Sequence, residues 1–292
     1  MRSKIFLILI VSLGFFSYNP ILIDAANQTS VIELQQKIQA LQKEIKRLQL
    51  LLVDMRLKKE LVSGSYLVMD VSDNAVISEK NTHQRYPIAS LTKLMNAVIA
   101  LEHIDADRTI TLNEDMLKPL GYSPSLFLSS TVSAKNLLKA SLIQSTNDAS
   151  ESLAYFIGTA KFVSLMNQKA KELGMQDTYF YDAHGLSLSN QSTASDLAKL
   201  VTYIQKNHPE ILEITKDNNF WLPDPSGKML KFKNLNDFYR LPEFLGGKTG
   251  YLPEAKESLA SVFNLEGKSV IVVLLYSKNR QADVAKIMRN LK

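Results

Sequence analysis

Ser90 stands three residues before Lys93 in the string Ser90-Leu91-Thr92-Lys93. A serine hydroxyl is a weak nucleophile until a neighbouring base removes its proton. Residues three apart share one face of a helix, so the Lys93 amine can sit beside the Ser90 hydroxyl. The flanks predict that helix: Pro87 precedes it, and Leu91, Leu94, Met95, Val98, Ile99 and Leu101 make it apolar nearly all round. Such a helix runs buried through a domain, here with Ser90 at its N-terminal end. Burial and the positive end of the helix dipole both disfavour an ammonium there. Both push Lys93 toward the neutral amine that a general base needs. A surface helix with a solvated lysine is the plainer reading, and the apolar flanks argue against it.

Ser145-Thr146-Asn147 follows an amphipathic stretch, 133–143, and precedes a second helical run, 149–157. A break between two helices can aim both side chains into a cleft. Ser145 could relay a proton from Lys93 to a leaving amine, and Asn147 could bond a substrate's backbone amide. Helix capping competes as a reading of Ser145-Thr146-Asn147-Asp148, because these residue types cap helices routinely. Further on, Gly246-Gly247-Lys248-Thr249-Gly250-Tyr251 reads as the opening of a strand beside a cleft. Its glycines let a ligand approach the backbone closely. Lys248 and Thr249 suit a carboxylate, one as a charge and the other as a hydroxyl donor. A peptide laid along this strand would extend the sheet edge. A glycine-rich turn with a solvated lysine is the alternative if the string is taken alone.

Together the strings read S-x-x-K, S-x-N and K-T-G, and they resemble the active-site set of serine enzymes acylated by D-alanyl peptides or penicillin. The resemblance extends to Tyr86-Pro87-Ile88-Ala89-Ser90, Lys171-Glu172-Leu173-Gly174-Met175, His184-Gly185-Leu186 and Ser192-Thr193-Ala194-Ser195-Asp196-Leu197. From about residue 64 onward the chain is similar to the low-molecular-mass penicillin-binding D-alanyl-D-alanine carboxypeptidases. This resemblance implies an α/β, transpeptidase-like (β-lactamase-like) fold: an antiparallel sheet flanked by helices, plus a mainly helical lobe. It implies hydrolysis of the terminal D-Ala from peptidoglycan stem peptides through an acyl-Ser90 intermediate, with β-lactam antibiotics as acylating inhibitors. Ser90, Lys93 and Ser145 would be catalytic. Asn147, Lys248, Thr249, Gly250 and Tyr251 would bind substrate, and the backbone N–H groups of Ser90 and Tyr251 would form the oxyanion hole. No cofactor is implied. Two departures stand out: Asp182-Ala183 where Asn-Pro is expected before His-Gly-Leu, and Leu252 where Thr is common after the tyrosine. No β-rich second domain or C-terminal amphipathic anchor is recognisable, so membrane attachment at that end is not expected.

The same residues leave other functions open. A D,D-endopeptidase cutting peptidoglycan crosslinks would need the same groups in a wider cleft. A class A β-lactamase would need a Glu-x-x-x-Asn to activate the deacylating water, and none lies between Asn147 and Lys248. Slow release of bound penicillin is therefore expected. A non-catalytic, wall-binding scaffold would not need six intact polar residues in three strings.

The 292 residues, 46% of them hydrophobic, suffice for one good-sized core plus an appendage. Net charge is +5, with 34 basic and 29 acidic residues and no basic stripe of the kind nucleic acid requires. Cysteine is absent, which excludes disulfides, a thiol nucleophile and a lipid-modified cysteine anchor. The four histidines have no metal-binding spacing, so a zinc peptidase is not expected.

Residues 1–26 read as an export signal: Arg2 and Lys4, an apolar run over 5–16, then Ala25-Ala26 as a cleavage site. An uncleaved N-terminal anchor is the alternative. Either places the protein outside the cytoplasm, in the periplasm, the cell wall or on the extracytoplasmic face of a membrane. Residues 27–62 carry a heptad, with Val31, Ile38, Ile45 and Leu52 at a and Leu34, Leu41, Leu48 and Met55 at d. This pattern favours a parallel two-stranded coiled coil, hence a homodimer through residues 31–55. A single amphipathic helix packed on the catalytic domain is the alternative.

Residues 63–292 form the expected catalytic domain. A hairpin over 66–71 and 75–79 turns at Asp73-Asn74, and the Ser90 helix follows. Helical signals cover 161–173 and 193–206, and Pro223, Pro225 and Gly227 mark a loop. Strands over 258–263 and 269–276 and a helix over 283–291 close the domain.

Overall fold

The computed structural model describes residues 25–118 and 126–291. In chain order its main elements are α1 (Ala25–Glu60), β1 (Ser65–Asp70), β2 (Val76–Lys80), α2 (Thr92–His103), α3 (Ala134–Ile143), α4 (Asn147–Tyr155) and α5 (Thr159–Glu172). There follow α6 (Ala194–Asn207), α7 (Pro209–Ile214), β3 (Asn219–Pro223), β4 (Met229–Lys233), β5 (Phe244–Leu252), β6 (Lys256–Leu265), β7 (Lys268–Ser277) and α8 (Arg280–Leu291). The chain divides into two units at Gln49 and Leu50.

The second unit is built on a five-stranded antiparallel sheet in the order β2-β1-β7-β6-β5. Its first two strands and its last three are separated by the helical insert, as expected. β7 is an unbroken apolar run because both faces of the sheet are covered. Ile271, Val273 and Leu275 join the core shared with the helical lobe, whereas Val270, Val272 and Leu274 join a second core with α8. Each such side chain contributes roughly 1.5–3 kcal/mol when fully buried.

α2 lies at the centre of the first core: every residue from Thr92 to Ala100 is buried. That is the behaviour expected of a helix apolar on all sides. Ser90 does not begin the α-helix itself. It sits in a 3-10 turn (Ala89–Leu91) just ahead of it, after Ala89 adopts a left-handed φ of 49°. Tight 3-10 turns commonly lead into helices.

Residues 219–233 correct the loop expected around Pro223, Pro225 and Gly227. They form a hairpin, β3 with β4, and only 224–228 is its turn. Phe220, Leu222 and Phe232 point inward, and the prolines fall at the strand end and in the turn, where no ladder N–H is needed.

α1 realises the helix expected over the heptads. All eight a and d residues are exposed, from Leu48 at 44% to Leu41 at 63%. A different face near its C-terminal end is buried: Val53, Leu57 and Leu61 pack into the second core, and Ser78 Oγ donates to Asp54 Oδ1 at 2.8 Å. The export segment expected at 1–26 falls, except for its last two residues, outside the described residues. No described helix is long and apolar enough to cross a membrane.

Candidate active site

Three oxygen atoms surround the amine of Lys93, which is itself fully buried. Asn147 Oδ1 lies 2.7 Å from Nζ, the His184 carbonyl 2.5 Å and Ser90 Oγ 3.2 Å. Two of these are carbonyl oxygens that only accept. A neutral amine has two N–H bonds and one lone pair. If Asn147 and His184 take the two N–H bonds, the lone pair is left for the one neighbour with a proton to give, the Ser90 hydroxyl. Burial pushes Lys93 down to about 7, while Asp182 and then Asp148 oppose the shift by favouring the charged form. The amine is therefore poised near neutrality, where a general base works best.

Ser145 holds a left-handed φ of 59° at the break between α3 and α4, and it lines a cleft of about 400 Å³ with Ser90 and Asn147. The capping alternative is not realised. Thr146 is the N-cap of α4 but makes no side-chain cap bond, and Asn147 turns to Lys93 instead. Asn147 thus holds the amine as well as lining the cleft.

On the opposite wall, β5 is the edge strand, as the glycine-rich string predicts. A side chain at Gly250 would meet Ile88 O at 2.9 Å and Ala89 Cβ at 3.2 Å, so the strand can lie against the Ser90 turn only as glycine. Thr249, Gly250 and Tyr251 line the cleft. Lys248 does not: it is 2% exposed and donates to Thr249 O at 3.0 Å. Burial holds it well below its ordinary range, and repulsion from Lys93 and Arg280 adds to this.

The cation that does line the cleft is Arg280, which sequence reasoning missed. It opens α8, and its Nη1 donates to Gly250 O at 3.1 Å. Its own N–H is tied to Glu257 Oε2 at 2.7 Å. No spacing links it to the K-T-G string thirty residues earlier, and only its place after a core strand hinted at the sheet's end. A larger groove, about 660 Å³, lies between β1, β2 and α6, and none of these residues lines it.

Comparison with known proteins agrees with this geometry. A family model described as D-alanyl-D-alanine carboxypeptidase matches residues 53–279. The chain is similar to the D-alanyl-D-alanine endopeptidase of Escherichia coli, 33% identical over 229 residues that cover 74% of this chain and 72% of that one. It is also similar to the D-alanyl-D-alanine carboxypeptidase DacB2 of Mycobacterium tuberculosis, 27% identical, covering 73% of this chain and 74% of that one. Among solved structures, penicillin-binding protein D2 of Listeria monocytogenes in its cefotaxime-bound form aligns with a TM-score of 0.67 and 30% identity. That alignment covers 79% of this chain and 97% of that chain.

Proposed function

Because the chain belongs to the D-alanyl-D-alanine carboxypeptidase family, we propose that Ser90 is the nucleophile with which it releases the terminal D-Ala of peptidoglycan stem peptides. The arrangement around Lys93 Nζ, two acceptors and one hydroxyl, carries this reading. Ser90 Oγ attacks the carbonyl carbon of the D-Ala–D-Ala bond as Lys93 takes its proton. The tetrahedral oxyanion is held by the backbone N–H groups of Ser90 and Tyr251. As the C–N bond breaks, Ser145 passes a proton to the departing amine, and acyl-Ser90 remains. Thr249 and Arg280 hold the carboxylate of the leaving D-Ala, with Lys248 buried beneath them. Water then adds to the ester carbonyl, the bond to Ser90 Oγ breaks with a proton returned to that oxygen, and the shortened peptide leaves as its carboxylate.

β-Lactams enter the same cleft and acylate the same oxygen. With no Glu-x-x-x-Asn between Asn147 and Lys248 to activate water, their esters persist. Digestion of purified muropeptides tests the reading: free D-Ala and shortened monomers are expected, and their absence would refute it. A second reading, D,D-endopeptidase, is favoured by the name of the Escherichia coli relative. Splitting of crosslinked dimers in the same digest would select it.

The segment 1–26 serves export, and residues 63–292 are the catalytic domain. The exposed a and d residues of α1 support the assignment of residues 27–62 as a coiled coil that pairs two copies of the chain.

A further inference from the structure

The string Asp182-Ala183-His184-Gly185 departs from the amide-proline pair expected before His-Gly-Leu, and its carboxylate has a specific use. Asp182 Oδ1 accepts from the backbone N–H of His184 at 3.0 Å and of Gly185 at 2.5 Å. Its other oxygen, Oδ2, accepts from Ser187 N–H at 2.8 Å. An asparagine could accept at one end only and would turn N–H against N–H at the other. The turn so clamped is packed on α2. Its Ala183 carbonyl accepts from Asn96 Nδ2 at 3.0 Å, and its His184 carbonyl from Lys93 Nζ at 2.5 Å. Gly185 presses on the nucleophile's own peptide: a methyl there would lie 2.1 Å from Ala89 O.

We propose that Asp182 is a positioning residue for Lys93: the turn it clamps sets where the amine sits, and its charge sets how readily the amine exchanges its proton. The inference rests on the reading of Lys93 as the general base. The charged and titratable groups that face Lys93 are few. α4 contributes Asp148, buried to 8% exposure, with one carboxylate oxygen lacking a partner. The clamped turn contributes Asp182 and His184, and β5 contributes Lys248. Burial holds His184 down at about 4, so it is neutral at working pH. Behind the turn, Glu151 is pushed up by burial, with Asp182 adding to the rise. Asp148 is itself raised to about 6 by burial, against the opposing pull of Lys93. Of the two carboxylates that oppose the effect of burial at Lys93, Asp182 acts more strongly than Asp148.

The test measures acylation by a fluorescent penicillin between pH 5 and 9 for the full-length protein and for the Asp182→Asn, Asp182→Ala and Lys93→Ala variants. Thermal melting checks that each variant folds. Removing the charge should move the acid limb down by roughly half a pH unit or more in Asp182→Asn, as loss of a nearby opposite charge requires. Releasing the turn should also lower the plateau, at least about tenfold in Asp182→Ala. A lower plateau with an unmoved limb would reduce Asp182 to a structural part and overturn the proposal. If Asp182→Asn does not fold, the limb of Asp182→Glu decides: the retained charge must keep it within about 0.3 unit of wild type. If Lys93→Ala acylates as fast as wild type, it is the base assignment that fails, and with it the foundation of this inference.

Discussion

Lys93 Nζ and Asn147 Oδ1 are 2.7 Å apart although 54 residues separate them, so α2 and α4 meet at the proposed base. The contact ties two of the three strings into one site and orients the amine toward Ser90. It also explains why Asn147 is 9% exposed yet reaches the cleft: one end of the amide faces the base, leaving the rest at the wall.

The first consequence concerns pH. Lys93 is held at about 7 by burial, and only its neutral form accepts the Ser90 proton. Below that value the acylation rate should fall about tenfold per pH unit, and above it the rate should level. A pH profile of penicillin acylation reads this directly. A limb near the ordinary lysine range would mean that the amine is solvated.

Arg280 is expected to act on binding. Replacement by glutamine removes the cleft cation while Lys248 stays buried. kcat/KM for D-Ala release should fall roughly 10–100-fold, in line with the loss of a charge-assisted bond of about 1.5–3 kcal/mol. A peptide substrate amidated at its C-terminus should lose that sensitivity, which separates carboxylate recognition from general damage.

Gly185→Ala should cost both stability and rate. Its φ is 95°, and the added methyl would strike the Ala89 carbonyl beside Ser90. Strain of roughly 1–3 kcal/mol is expected, seen as a lower melting temperature. The surviving folded fraction should acylate more slowly because the nucleophile is displaced. Unchanged acylation would show that the turn yields without moving Ser90.

Ile38→Lys together with Ile45→Lys tests the helix. Both side chains are more than half exposed on the a face of α1. Sedimentation of the wild-type chain should give a dimer and the double variant a monomer, with D-Ala release retained. A monomeric wild type would leave the heptad as a single helix.

Much of this was legible beforehand because it rested on local pattern. The run around Leu94, Met95 and Val98 marked a buried helix, and the Lys93 spacing placed the amine beside Ser90. The hairpin turn at Asp73-Asn74 was equally visible, with Asn74 in the left-handed region that asparagine tolerates. What escaped was tertiary. Nothing in the sequence around Arg280 shows that the start of α8 returns to Gly250. Lys248 reads as a cation facing the cleft, and only the closure of the sheet and helical lobe over it shows that it is buried. The β3–β4 strands were hidden because Pro223 and Pro225 signal a loop more strongly than the alternation of Phe220 and Leu222 signals a strand.

The most direct test is mass spectrometry of the intact chain after brief exposure to benzylpenicillin, followed by peptide mapping. One equivalent should add, on Ser90, and persist for minutes; the adduct should vanish in Ser90→Ala and form at least about a hundredfold more slowly in Lys93→Ala. An adduct on another residue, or undiminished labelling of Ser90→Ala, would contradict the assignment of the nucleophile.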